Sequence, residues 1–371
     1  MAKLVAIDLP GGPDFVDALR RIWDDGDAAL PVDQRLPEGQ RRRVMAAMAP
    51  SEVEGRGGRT SLEGGRPVED GDALVMPTSG TTGTPKGVVL TRRAVEASAL
   101  ATTGRLGVDP LRHRWLACLP LCHVGGLSVV TRALLTGTPL TALPGFDAGA
   151  VTAASGPEVF VSLVPTALRR VDARRFHTVV LGGSAPPAGL ADNVVTTYGM
   201  TETGSGVVYD GVPLPGVEVD VRDRQEIFLR GPMLLRCYRD GSVPLDDGGW
   251  LATGDAGRVD PAGRLQVYGR LDDMIVTGGE NVWPGQVEDA LRSHPAVAEV
   301  AVAGLPDVEW GQRVAAWVVP ADPSEPPSLE QLRDVVGAEL PRFAAPRQLV
   351  LVDSLPRTSI GKVRRSELRA G

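Results

Sequence analysis

The chain has 371 residues, 43% of them hydrophobic and 23% charged, which fits a globular protein of two or three domains at roughly 100–200 residues each. A net charge of -7 without a basic stripe argues against a nucleic-acid partner, and no apolar run approaches the length of a membrane span, so stable membrane insertion is not expected. Residues 1–8 lack the apolar core and cleavage site of a signal peptide, and Cys118, Cys122 and Cys237 are an odd, sparse set without a disulfide framework, so the expected setting is a reducing cytoplasm.

In chain order, Phe15, Val16, Leu19, Ile22 and Trp23 recur at helical spacing and predict an amphipathic helix over residues 13–28. Residues 50–72, rich in Gly, Glu, Arg and Ser, read as loop. Residues 73–76 read as a buried strand and 88–90 as a second apolar run, with Thr91 as N-cap of a helix that begins near Arg92. Strands at 115–119, 139–143, 159–163 and 178–181 then alternate with helices at 124–136, 147–154 and 166–171. That alternation predicts an α/β fold with a mostly parallel sheet covered by helices, whose ligands sit beyond the carboxyl ends of the strands. From about 207, short strands broken by Gly and Asp (217–221, 226–229, a hairpin over 258–268) predict a small β-subdomain. Beyond Arg270, helices at 284–292 and 328–339 and strands at 298–303, 314–319 and 348–352 predict a small α+β domain. The expected organisation is an N-terminal domain of residues 1–270, its β-subdomain at about 207–270, followed by a C-terminal domain of residues 271–371.

The stretch around which the rest is organised is Thr78-Ser79-Gly80-Thr81-Thr82-Gly83-Thr84-Pro85-Lys86-Gly87. Glycines allow such a loop to bend close to an anion, hydroxyls and backbone N–H groups donate to phosphate oxygens, and Lys86 adds a mobile point charge. It fits neither the Walker pattern nor Gly-x-Gly-x-x-Gly. The only lysines are Lys3, Lys86 and Lys362 in a chain that otherwise uses arginine, and the latter two stand beside glycine in hydroxyl-rich stretches. Roles that a planar guanidinium cannot fill are implied there. Cys118, Cys122 and His123 could suggest a metal site, but no second ligand pair follows at zinc spacing. His113, His177 and His294 fall in no motif and read as structural.

The loop resembles the phosphate-binding loop of the adenylate-forming (acyl-CoA synthetase, luciferase-like) superfamily. Further stretches extend the resemblance: Leu181-Gly182-Gly183-Ser184-Ala185-Pro186, Tyr198-Gly199-Met200-Thr201-Glu202-Thr203, Thr253-Gly254-Asp255, Tyr268-Gly269-Arg270-Leu271-Asp272-Asp273, Thr277-Gly278-Gly279-Glu280 and Pro356-Arg357-Thr358-Ser359-Ile360-Gly361-Lys362. The resemblance implies ATP held by Thr78, Ser79, Gly80, Thr81, Thr82, Gly83 and Lys86 on its phosphates, with Thr201, Arg270 and Lys362. Gly183, Ser184, Tyr198 and Gly199 would take the adenine side, and Asp255 the ribose. It implies Mg²⁺ on Glu202, coenzyme A passing Gly278 and Gly279, a hinge at Asp272 and a catalytic Lys362 in a mobile C-terminal domain. His123, in Leu121-Cys122-His123-Val124-Gly125-Gly126, matches the family's gate beside the acyl pocket.

The activity implied is ligation of a carboxylic acid to CoA through an acyl-adenylate. Within the superfamily, the shortened N-terminal part and Val161-Ser162-Leu163-Val164-Pro165-Thr166-Ala167-Leu168 resemble the o-succinylbenzoate–CoA ligases of menaquinone biosynthesis. That acid has a second carboxylate on its ring, for which donors are expected from Ser162, Thr166, Ser184, Ser205 and the backbone near Gly204, with His123 if protonated. Another aryl- or acyl-CoA ligase, or an adenylating protein that does not transfer to CoA, stays open, as does a homodimer. The phosphate loop begins early for the family, and the stretch between Gly183 and Tyr198 is short, so the helix usual there must be reduced.

Overall fold

A computed structural model of the chain describes residues 1–78, 85–187, 189–357 and 363–368. Two seven-stranded sheets dominate it. The first runs Cys237–Tyr238, Lys86–Thr91, Asp72–Thr78, Ala28–Pro31, Leu4–Ile7, Glu52–Gly55 and Gly58–Ser61. It is parallel in the middle and antiparallel at both edges. Leu4–Ile7 and Ala28–Pro31 are buried at every residue, and the helix Pro13–Asp24 that joins them buries Phe15, Val16, Leu19 and Ile22 as its spacing predicts. The segment read as loop contains the hairpin Glu52–Gly55/Gly58–Ser61. Its polar strands carry no local apolar signal; the edge of the sheet supplies their partner.

The second sheet runs Val212–Pro213, Ser205–Tyr209, Val194–Met200, Thr178–Leu181, Val159–Leu163, Arg114–Ala117 and Leu140–Ala142. It is parallel except for the hairpins at its Val212–Pro213 end. Residues from 205 to 213 therefore belong to this sheet. The four-stranded sheet expected as a β-subdomain begins later, with Glu218–Val221, Glu226–Arg230, Leu251–Val259 and Leu265–Arg270. Thr178–Leu181 and Val194–Met200 are parallel neighbours, and where a reduced helix was expected no helix lies among the described residues between them. The helix Arg92–Leu106 starts where Thr91 accepts from the Ala94 amide at 3.2 Å, and Val124–Thr136 ends at Gly137 with φ 67°.

By compactness the chain divides into Met1–Val219 with Leu229–Ala252, and Asp220–Phe228 with Thr253–Gly371. The boundary expected at Arg270 does not coincide with this division. In the second unit the long hairpin Val297–Asp307/Gly311–Pro320 carries Gln348–Leu351 parallel to its second arm. The helices Pro284–Arg292 and Leu329–Glu339 close a core of Val287, Leu291, Val302, Val314, Leu332 and Val336.

Candidate active site

In the first unit, Asp72–Thr78 and Lys86–Thr91 are antiparallel partners with Thr78 opposite Lys86, so the hydroxyl–glycine stretch begins and ends at one point. Ser79, Gly80, Thr81, Thr82 and Gly83 themselves lie outside the described residues. The Lys86 ammonium lies 4.9 Å from the centroid of the Tyr238 ring, and the Tyr238 hydroxyl donates to Glu202 Oε1 at 3.0 Å. The strand Cys237–Tyr238 pairs with Lys86–Thr91, and its flanks are tied by Leu235 N to Glu202 O at 2.7 Å and Arg239 N to Gly87 O at 2.6 Å. Gly87 must be a glycine for this approach: a Cβ there would overlap Met48 Sδ and stand 2.9 Å from Arg239 Cβ. Burial, and then the neighbouring Glu202 carboxylate, raise the Tyr238 phenol above its ordinary range and keep it a donor. Sequence reasoning missed Tyr238, because Arg236-Cys237-Tyr238-Arg239 is no motif and only strand pairing brings it between Lys86 and Glu202.

Glu202 stands on the turn Thr201–Thr203 of a hairpin whose first strand, Val194–Met200, carries Tyr198 and Gly199. Gly199 lies so close to its partner strand that a Cβ would be 2.7 Å from Gly206 Cα. Tyr198 is half-buried. Gly183 (φ 89°) and exposed Ser184 follow the strand Thr178–Leu181, where Gly182 N donates to Leu163 O at 3.1 Å.

The residues expected around the acid separate into three places. Ser205 is buried and accepts from Arg132 Nη2 at 2.5 Å. Gly204, half-buried with φ 67°, precedes it. Ser162 is buried on Val159–Leu163 with no hydrogen-bond partner for its hydroxyl among the described residues, and it stands three strands, or roughly 14 Å sideways, from Ser205. Thr166 and Ser184 are exposed. One ring carboxylate therefore does not meet Ser162 and Ser205 together.

Arg132, which the sequence reading passed over, is the strongest polar feature of this region. It sits on Val124–Thr136 at 2% exposure, its guanidinium 5.3 Å from the Trp115 ring centroid. Nη2 donates to Ser128 Oγ at 3.1 Å and to Ser205, while Nε and Nη1 have no partner among the described residues. Burial lowers its pKa. The sequence carried one weak signal: Arg132 is the one charged residue of the helix Val124–Thr136.

His123 stands at the start of the same helix and belongs to a different cluster. Arg35 Nε and Nη2 grip the two Asp33 oxygens at 2.8 Å each, and Nη2 lies 3.1 Å from His123 Nε2 and 3.7 Å from Cys122 Sγ. A guanidinium can only donate, so this contact is a hydrogen bond in the tautomer whose Nε2 accepts; Asp33 Oδ2 lies 3.7 Å from the same nitrogen. Burial raises the Asp33 carboxyl, but the hydrogen bonds from Arg35 outweigh it and the net shift is downward. Asp33, Cys122 and His123 bring ligand atoms within 4.8 Å of one another, but the Arg35 guanidinium already supplies the cation there. Cys118 is buried apart, its sulfur 4.0 Å from Ser162 O, so the Cys118–Cys122–His123 metal grouping does not form.

In the second unit, Asp255 is 9% exposed and Arg270 Nη1 lies 3.2 Å from its Oδ1 while donating to Thr253 O at 3.1 Å. Asp272 is exposed on the turn Leu271–Asp273. Gly278 (φ 61°) and Gly279 (φ 86°) form the two-residue loop of the hairpin Ile275–Thr277/Glu280–Val282, a positive-φ pair that glycine tolerates. A Cβ on Gly278 would stand 2.7 Å from the Trp310 ring. Lys362 lies outside the described residues.

The model of the AMP-binding enzyme family matches residues 27–239, and that of the AMP-binding enzyme C-terminal domain matches residues 286–362. The chain belongs to the AMP-binding enzyme family. The first match takes in Lys86, Glu202 and Tyr238 as well as Arg132, and the second ends on Lys362. Among relatives of this AMP-binding enzyme, a probable 2-succinylbenzoate–CoA ligase of Mycobacterium tuberculosis is 39% identical over 365 residues, covering 91% of this chain and 94% of the relative. An o-succinylbenzoate CoA synthetase from Bacillus subtilis, solved with the acyl-adenylate intermediate OSB-AMP, is similar at a TM-score of 0.85 and 27% identity over 100% of this chain and 88% of that one. The same enzyme with ATP and a magnesium ion is similar at a TM-score of 0.82, 27% identity, and 99% and 89% coverage. Among the described residues, no helix is long and apolar enough to cross a membrane.

Proposed function

We propose that this AMP-binding enzyme is a 2-succinylbenzoate–CoA ligase that works through an acyl-adenylate. The observation that carries the choice of acid is Arg132: a buried guanidinium with two unpartnered nitrogens is costly unless an anion completes it. A substrate with one carboxylate to activate and a second to bury supplies that anion. The relatives named for this acid support the same choice.

In the first half-reaction the succinyl carboxylate attacks the α-phosphorus of ATP. An O–P bond forms, the bond from that phosphorus to the α,β-bridging oxygen breaks, and pyrophosphate leaves with the electron pair. The attacking group is already ionised, so catalysis is positioning and charge stabilisation. Thr78, the stretch 79–83 and Lys86 hold the departing phosphates. Tyr198 lies on the adenine beside Gly183 and Ser184, and Asp255 accepts from the ribose hydroxyls. Thr201, Arg270 and Lys362 donate around the α-phosphate. Glu202 suits Mg²⁺: Oε2 accepts no hydrogen bond among the described residues, and this ion takes one or two carboxylates with phosphate and water. When bound, the ion neutralises phosphate charge. In the second half-reaction the C-terminal part turns about Asp272 and brings Gly278 and Gly279 to the site. The CoA thiol then loses its proton, sulfur bonds to the acyl carbon, and the bond to AMP breaks.

The test compares o-succinylbenzoate with 4-phenyl-4-oxobutanoate, which lacks the ring carboxylate, by CoA-dependent AMP formation. A kcat/KM ratio of about 5 to 150 in favour of the first is expected, corresponding to roughly 1–3 kcal/mol for leaving buried donors unpaired. Equal values would overturn the choice of acid, and adenylate formation without thioester would overturn the CoA step.

A further inference from the structure

We propose that Tyr238 is the positioning residue that sets the Glu202 carboxylate for its metal ion and ties it to Lys86. This rests on the reading of Glu202 as the metal-holding residue. The geometry is a bridge between three parts of the chain that are far apart in sequence. The phenol hydroxyl occupies Glu202 Oε1 at 3.0 Å and leaves Oε2 as the oxygen without a partner among the described residues, while the face of the same ring takes the Lys86 ammonium at 4.9 Å. A carboxylate on an unsupported side chain rotates among several orientations. One fixed by a donor on Oε1 presents the other oxygen in a single direction.

The backbone makes the phenol a rigid reference. Tyr238 is opposite Val88 in the edge pairing, its own N–H bonds to Ser242 O at 2.8 Å, and Leu235 and Arg239 on either side bond to Glu202 O and Gly87 O. The segment that carries Tyr238 is thus held to the backbone of Glu202 and to that of Gly87, the neighbour of Lys86. The hydroxyl and the ring do separable work: the hydroxyl acts on Glu202, the ring on Lys86.

The experiment uses the full chain and titrates α,β-methylene-ATP by calorimetry with and without MgCl₂, for wild type, Tyr238→Phe, Tyr238→Leu and Glu202→Gln. Tyr238→Phe keeps the ring and should lower the apparent Mg²⁺ affinity about tenfold, the lower end of what loss of a supporting hydrogen bond to a metal ligand causes, with metal-free nucleotide binding unchanged. Tyr238→Leu should weaken both, because Lys86 loses its platform. If Glu202→Gln weakens Mg²⁺ binding and Tyr238→Phe does not, the role of Tyr238 is overturned and that of Glu202 stands. If Glu202→Gln leaves Mg²⁺ binding unchanged, the reading of Glu202 fails and Tyr238 with it. Equal loss in Tyr238→Phe with and without metal would place the hydroxyl on the nucleotide and overturn the proposal.

Discussion

Lys86 and Arg132 are both cations, and they are built in opposite ways. Lys86 is exposed at the mouth of a hairpin, with its charge resting on the face of Tyr238. Arg132 is 2% exposed between a helix and a sheet, with Ser128 and Ser205 as its hydrogen-bond partners. An exposed ammonium keeps its hydration and its freedom, so it can follow phosphates as they separate. A buried guanidinium has already lost its water, and that loss is recovered only by an anion of the right shape. The first arrangement suits a leaving group common to all members of the reaction class, and the second suits discrimination between acids.

Changing Arg132 should therefore have the largest and most selective effect. Arg132→Met should lower kcat/KM for o-succinylbenzoate by about a hundredfold to a thousandfold, as when one partner of a buried charge pair is removed. It should leave 4-phenyl-4-oxobutanoate nearly unaffected and the thermal midpoint no lower, because the two unpartnered nitrogens disappear with the side chain. A fall in stability with equal loss toward both acids would make Arg132 a packing residue and break the contrast.

Lys86→Ala should come next. Pyrophosphate release should fall about a hundredfold for either acid, the scale of one lost charge-stabilising donor, with no change in thermal midpoint. A selective loss for one acid would blur the two regions. Gly278→Ala, outside both, should strain a φ of 61° and push against Trp310, slowing thioester formation severalfold while adenylate formation continues. Loss of both steps together would show that this loop also serves the first.

The smallest effect concerns Cys118 and Cys122. Burial pushes the Cys118 and Cys122 thiols up to about 12. At pH 8 only about one thiol in ten thousand is then thiolate, and iodoacetamide should modify both slowly with activity retained. Rapid, inactivating alkylation of Cys122 would show that its surroundings open in solution.

How much could be read from the sequence follows from where each residue gets its meaning. The helix Pro284–Arg292 was legible because a buried face repeats with the helical period, and the strands Val159–Leu163 and Thr178–Leu181 because a short, mostly apolar run reads as a strand buried on both faces. Thr91 was legible as a cap because its acceptor lies three residues away. The signature stretches were legible because each is contiguous in sequence, so the resemblance needs no fold to be read. The polar edge strands Glu52–Gly55 and Gly58–Ser61 were not, since their pairing comes from a neighbour. Nor was the separation of Ser162 from Ser205, which depends on strand order. Tyr238 acquires its place between Lys86 and Glu202 only through the pairing of a two-residue strand, and Arg132 its unpaired charge only through burial. The sequence by itself determined the reaction class, because that is written in local runs. The tertiary structure decided which buried charge can select the acid, because desolvation is a property of everything packed around a residue and of nothing in its immediate sequence.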